Sequence, residues 1–138
     1  MKLFIDSSAL AKRYVEETGS REVQKRCREA SEIILSVITG PELLSGLNRL
    51  KREQKLPVEK YNELKKLVMA DLSKATIINL TENILQETVN CLESTSIRTL
   101  DAIQVASAKE MSCDLFLSAD HRQCESAKAM GLPVEKIG

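Results

Sequence analysis

Residues 3–10 read LFIDSSAL, an apolar run that ends on an ionisable Asp6 and continues at once into the hydroxyls of Ser7 and Ser8. Leu3, Phe4 and Ile5 have the composition of a buried β-strand, and Asp6 stands where such a strand would end. A carboxylate costs free energy to bury unless a hydrogen-bond donor, a cation or a metal ion meets it. The partner of Asp6 must therefore come from elsewhere in the chain.

Working outward from LFID (3–6), similar short runs recur as EIILS (32–36), ATIINL (75–80), DLFLSA (114–119) and, more weakly, PVEKI at the end. Helical patterns lie between them. Val58, Tyr61, Leu64, Leu67, Val68 and Leu72 repeat at helical spacing behind Pro57, a residue that favours helix starts. Leu43, Leu44, Leu47 and Leu50 do the same, so residues 41–74 read as two helices joined near 55–57. Further helices fit 8–16, 20–30, 81–93, 99–111 and 120–130. This alternation predicts an α/β fold with a central parallel sheet of about five strands flanked by helices.

A chain of 138 residues fits one domain, 1–138, with no repeat or Gly/Ser linker to divide it. Hydrophobic and charged shares of 43% and 29% suit a soluble globular protein, and no apolar run approaches a membrane span. Asp6 and Lys12 interrupt the first apolar segment, which argues against a secretory signal and for a cytoplasmic protein without a membrane partner. Cys27, Cys91, Cys113 and Cys124 lie far apart, with no CxxC pair and one histidine to join them. That spacing argues against a zinc site or a disulfide framework. With 20 basic and 20 acidic residues the chain has no global field for nucleic acid, so any such contact needs a local patch.

Four acids stand at suggestive places. Asp6 ends the first strand, Glu42 opens the helix after the second in SVITGPELLSG, Asp101 falls in the first turn of IRTLDAIQVASA, and Asp120 follows the fourth strand in LFLSADHRQ. In an open α/β sheet the carboxyl ends of strands and the amino ends of helices share one ligand-binding edge, so all four can face one rim. Three also have a capping explanation: Thr39 and Glu42 have capping-box spacing, Asp101 follows a possible cap at Thr99, and Asp120 can cap the last helix with Gln123. Asp6, at a strand end, has no equivalent explanation. Jointly the four would repel one another unless a cation sat among them, and oxygen-only ligands suit Mg²⁺ or Mn²⁺. Such a site is suited to phosphodiester hydrolysis.

These motifs in this order, LFIDSSAL, PELLSGL, RTLDAIQVASA and FLSADHRQCESAKAMGL, resemble the PIN-domain ribonucleases, and the chain is similar to the VapC-like toxins of toxin–antitoxin pairs. The resemblance implies a PIN-like fold, a Mg²⁺ or Mn²⁺ site and endonucleolytic cleavage of RNA. It makes Asp6, Glu42, Asp101 and Asp120 the acidic quartet, with Asp6, Asp101 and Asp120 as metal ligands and Glu42 orienting a water. Ser7 and Ser118 match positions whose hydroxyls hydrogen-bond the carboxylates. A homodimer and a groove for an antitoxin helix are implied as well, with the leucine-rich pair at 41–74 as the surface. The expected chemistry is in-line attack of a metal-activated water on phosphorus, without a covalent intermediate.

Of the local basic clusters, Lys12 and Arg13 lie two turns from Asp6 and are the expected phosphate contacts. His121 reads as a solvated residue of a helix's first turn. Two Phe, two Tyr and no Trp leave little for a base-stacking platform. A phosphoaspartyl enzyme is a competing reading, but Ser8 stands where the haloacid-dehalogenase pattern needs a second Asp. The same residues also admit a PIN nuclease of RNA processing outside a toxin–antitoxin pair, or an inactive PIN-like module that binds RNA or a partner.

Overall fold

The computed structural model describes residues 1–138. Five parallel strands, β1 (Lys2–Ile5), β2 (Glu32–Ser36), β3 (Thr76–Ile78), β4 (Leu115–Ser118) and β5 (Val134–Lys136), form one sheet in the order β3-β2-β1-β4-β5. Ile5 pairs with Leu117 across β1 and β4, and the Asp6 N–H extends that ladder by donating to the Leu117 carbonyl at 3.0 Å. From β1 the chain winds outward through β2 to β3, then returns to the other side of β1 to lay down β4 and β5. The order thus reverses between β1 and β4, which leaves a crevice beyond their carboxyl ends. Asp6 and Asp120 follow these two strands.

Alternation along the strands feeds two cores. Leu3, Ile5, Leu35 and Leu117 point to one face and are buried with Leu10, Val23, Leu43, Leu64 and Val68. These come from α1 (Ser7–Leu10), α2 (Ser20–Glu29), α3 (Thr39–Arg52) and α4 (Val58–Lys74). Phe4, Ile34 and Phe116 point the other way, toward α5 (Glu82–Ser94), α6 (Thr99–Glu110) and α7 (His121–Ala129). The rings of Phe4 and Phe116 stack at 5.6 Å there. Every residue from Ala102 to Ala108 is buried, because the small side chains of α6 let it lie between the sheet and α5.

The parallel five-stranded sheet and all seven helical segments follow the sequence expectation, with local differences. The helix expected over 8–16 is a single turn, α1, that tightens into a 3-10 turn at Ala11–Arg13, where Arg13 and Tyr14 both anchor on Asp71 of α4. Helix α3 starts at Thr39 rather than 41, since Pro41 falls in a first turn whose N–H groups have no intrahelical acceptor. It ends where Gln54 takes a φ of 58° and Lys55 donates back to the Leu50 carbonyl at 2.9 Å, a closure that lets Pro57 start α4. Gly19 begins α2 at a φ of +96°, and a Cβ there would meet Ile137 at 2.5 Å, so only glycine fits. No helix is long and apolar enough to cross a membrane.

Candidate active site at the carboxyl edge of the sheet

Asp6 is fully buried, and its carboxylate is held on both oxygens. Oδ1 accepts from the Ala9 N–H at 2.9 Å and from Ser8 Oγ at 2.7 Å, while Ser118 Oγ donates to Oδ2. Asp6 is therefore the N-cap of α1, a structural role that the strand-end position had concealed. Burial nevertheless dominates its acidity and pushes its pKa up to about 6, with the Asp120 charge adding to the rise and the three hydrogen bonds opposing it.

Glu42 lies in the first turn of α3. Its Oε1 accepts from Ser7 Oγ at 2.6 Å and from Gln104 Nε2 of α6 at 2.8 Å. The capping box expected from Thr39 and Glu42 does not form: the cap residue is Ile38, with no side-chain bond, and Thr39 is the first helical residue. The Thr39 hydroxyl is turned inward to accept from Gln104 Nε2 at 3.1 Å.

Asp101 occupies the first turn of α6, which Arg98 rather than Thr99 caps. Its carboxylate takes no hydrogen bond from the protein; burial raises its pKa, Asp120 and Glu42 raise it further, and Arg98 lowers it. Asp120 caps α7 by accepting from the Gln123 N–H at 3.0 Å. The Gln123 side chain does not close a capping box, however, because it donates to the Asp101 carbonyl at 3.2 Å and so ties the starts of α7 and α6 together.

Ser118 does more than meet Asp6, since its Oγ also accepts from the Asp120 N–H at 3.0 Å. Ser8 accepts from the Ala119 N–H at 3.0 Å and so links α1 to the end of β4. The two serines after Asp6 divide the work: Ser8 serves Asp6 and Ser7 serves Glu42. Sequence reasoning passed over Ser8 and Gln104. Ser8 had a signal, because a hydroxyl two residues beyond a capping Asp can fold back on it. Gln104 had one too, as the lone amide in the apolar run AIQVASA, one turn beyond Asp101 on the same helical face.

Asp101 and Asp120 share a polar cleft of about 740 Å³ with Arg98 and Arg122. Glu42, Ser7 and Ser8 line a second cleft of about 490 Å³ beside Tyr14 and Arg49. None of the four acids takes part in any of the chain's ion pairs. Lys12 and Arg13 are both engaged by other groups of the chain. Lys12 Nζ bonds Glu17 at 3.2 Å and the Thr18 carbonyl at 2.7 Å, and Arg13 Nε bonds Asp71 at 3.1 Å. His121 is exposed in the first turn of α7.

No three of the chain's Asp, Glu, His and Cys side chains form a group that could by itself hold a metal ion. Donor type and charge nonetheless suit a hard divalent cation, since the rim is all oxygen, has no cation bonded to it and holds two carboxyls that ionise reluctantly. Mg²⁺ keeps several waters and needs only one or two carboxylates, so the set fits it without a closed protein cage.

The pattern of the PIN domain matches residues 3–129, a span that includes all four acids. A search of curated protein sequences matches none of them. Among solved structures the fold is similar to FitAcB from Neisseria gonorrhoeae, at 20% identity and a TM-score of 0.76, over 96% of this chain and 95% of that one. VapBC2 from Rickettsia felis, crystallised on a promoter DNA fragment, gives 12% identity and a TM-score of 0.72, with 100% of both chains covered. The Mycobacterium tuberculosis toxin VapC20, described as cleaving the sarcin–ricin loop, gives 12% and 0.69 over 94% of this chain and 95% of its own. At these identities the likeness is one of fold. With the sheet order, the rim of acids and the matched span in agreement, the chain belongs to the PIN-domain family.

Proposed function

We propose that residues 1–138 form one PIN domain acting as a Mg²⁺- or Mn²⁺-dependent endoribonuclease, the VapC-like toxin of a toxin–antitoxin pair. One observation carries the reading: a fully buried Asp6, with a pKa pushed up to about 6, lies at a sheet edge whose acids have no ion-pair partner. A buried carboxylate that its hydrogen bonds compensate only in part costs stability at neutral pH, and a bound cation would recover it. The family membership and the fold shared with toxin–antitoxin complexes, one of them from Klebsiella pneumoniae, support the toxin assignment.

In this reading Asp6, Asp101 and Asp120 hold the metal, which when bound polarises the scissile phosphate and makes a coordinated water more acidic. Ser8 and Ser118 fix both oxygens of Asp6, so its orientation is set before any ligand arrives. Ser7 and Gln104 occupy Oε1 of Glu42 and leave Oε2 to orient the attacking water. The water oxygen bonds to phosphorus as the P–O bond of the leaving nucleotide breaks, and the leaving oxygen takes up a proton. A homodimer and an antitoxin bound at the α3–α4 face complete the proposal.

The test is incubation of a tRNA and rRNA pool with the purified protein in Mg²⁺, in Mn²⁺, in EDTA, and with the Asp6→Ala variant. Cleavage that needs the metal and vanishes in the variant is expected. Metal-independent cleavage, or an active variant, rejects the assignment. For the toxin role, expression should arrest growth and co-expression of a small neighbouring gene should relieve the arrest.

A further inference from the structure

If Lys12 and Arg13 are tied up, other cations must hold the substrate backbone. We propose that Arg98 and Arg122 are the phosphate clamp of this site, gripping the RNA strand beside Asp101 and Asp120. The inference rests on RNA being the ligand of this rim, and it adds to the expected contacts a cation pair that lines the cleft of Asp101 and Asp120.

Both arginines line the cleft that holds Asp101 and Asp120, and both are exposed. Neither guanidinium forms an ion pair or a side-chain hydrogen bond in the chain, so all their donors face solvent, ready for a ligand. Arg98 faces the charge of Asp101, but helix stability alone does not favour either placement. Arg98 caps α6 and Arg122 is the second residue of α7, positions where the helix dipole opposes a positive charge. A guanidinium presents a planar fork that matches phosphate oxygens, so arginine at both places suits bidentate contact better than lysine would.

Their spacing is fixed by the same bonds that order the site. Gln123 beside Arg122 donates to the Asp101 carbonyl, and Thr95, before Arg98, shares a 2.7 Å hydrogen bond with Ser126 of α7. Thr95 also donates to the Cys91 carbonyl at 2.8 Å, which pins the 95–98 segment to α5. These bonds tie the chain just before Arg98 to α7, the helix that carries Arg122. A phosphate held between the two arginines would lie beside the acids, so the bond to be cut is placed by the strand's backbone and not by its bases. The shortage of aromatic side chains agrees with backbone recognition.

The test pairs binding with turnover. Binding of a labelled oligouridine is measured in EDTA between about 50 and 300 mM KCl, for the wild type, Arg98→Ala, Arg122→Ala, the double variant, both Lys variants, and Lys12→Ala. Each alanine variant should lower the slope of log affinity against log salt by about 1, and the lysine variants should retain most of it. In Mg²⁺, KM for the RNA pool should rise several-fold with little change in kcat. Melting temperatures check that the variants are folded. A double variant with an unchanged salt slope, a larger loss in Lys12→Ala, or no binding by the wild type overturns the clamp. Wild-type protein that binds with the expected slopes but never cuts RNA overturns the nuclease reading and leaves the clamp standing.

Discussion

Replacing Asp6 with asparagine should make the metal-free protein more stable at neutral pH. The side chain is fully buried and its pKa is pushed up from 3.8 to about 6, chiefly by burial. A raised carboxyl pKa means that the folded state binds the proton more tightly than the unfolded chain does. Stability from this group is then fully present below the unfolded pKa and is lost as pH rises through the folded one. A shift of about two pH units corresponds to roughly 3 kcal/mol lost by pH 7.5. Between pH 5 and 7.5 the loss is about 1.4 kcal/mol, because half of the titration window lies below pH 5.

The substituted amide would keep an oxygen for the Ala9 N–H and Ser8 and would turn an NH₂ toward Ser118, whose hydroxyl can reorient to accept it. Allowing about 1 kcal/mol for the rearranged bond leaves a net gain of about 2 kcal/mol at pH 7.5. For a domain of this size that is roughly 5–8 °C in Tm. The assay is thermal unfolding of Asp6→Asn and wild type in EDTA at several pH values, read as the difference so that other titrating groups cancel. The gap should shrink by about 1.4 kcal/mol from pH 7.5 to 5. An asparagine variant no more stable than wild type at pH 7.5, or a gap that ignores pH, refutes the argument that Asp6 carries an uncompensated charge.

Mg²⁺ should raise the Tm of the wild type and leave that of Asp6→Asn nearly unchanged, and binding near pH 6 should release a proton, visible calorimetrically as a buffer-dependent heat. Ser118→Ala removes a hydrogen bond that lowers the Asp6 pKa, so the acidic limb of the pH–activity profile should move to higher pH. Gln104→Leu removes the amide that fixes Glu42, together with a buried carbonyl oxygen that has no partner; kcat should fall about 10–100-fold while urea unfolding changes by roughly 1 kcal/mol or less. Thr81→Ala, which deletes the side-chain cap of α5 far from the acids in sequence, should cost about 1 kcal/mol in urea unfolding without altering RNA cleavage.

The three central strands were legible because their apolar runs fill buried positions of a parallel sheet, and EIILS matches β2 residue for residue. Helix starts were less so. Pro41 hid the first turn of α3, and the anchoring of Arg13 and Tyr14 on Asp71 cut the first helix short, a contact between residues nearly sixty positions apart that no local pattern encodes. The positions of the four acids at strand and helix ends were legible, but not the fork of Gln104 onto Ser7, Thr39 and Glu42, because it joins α1, α3 and α6 only after the sheet has formed. Nor could sequence tell that Lys12 would turn to Glu17 and Thr18, since a flexible cation takes whichever acceptor the fold brings near.

Capping and site chemistry look like rival explanations for acids at helix starts, yet the structure joins them. Asp6 and Asp120 cap α1 and α7 through one oxygen each, and Glu42 and Asp101 sit in the first turns of α3 and α6. Gln104 joins the starts of α1 and α3 to α6, Gln123 joins the starts of α6 and α7, and the N–H groups that Asp6 and Asp120 cap offset part of the cost of the negative charge there. The compensation is incomplete, because burial and neighbouring charge still raise Asp6 and Asp101. A rim compensated in full would have little affinity left for a cation, whereas one with no caps would distort or protonate at neutral pH. Capping holds Asp6 and Asp120 in place, and under the proposed function the charge that it leaves unanswered would favour binding of a divalent ion. On this reasoning, stability gained by neutralising any of these acids and metal affinity lost by the same change should rise together along a series of variants.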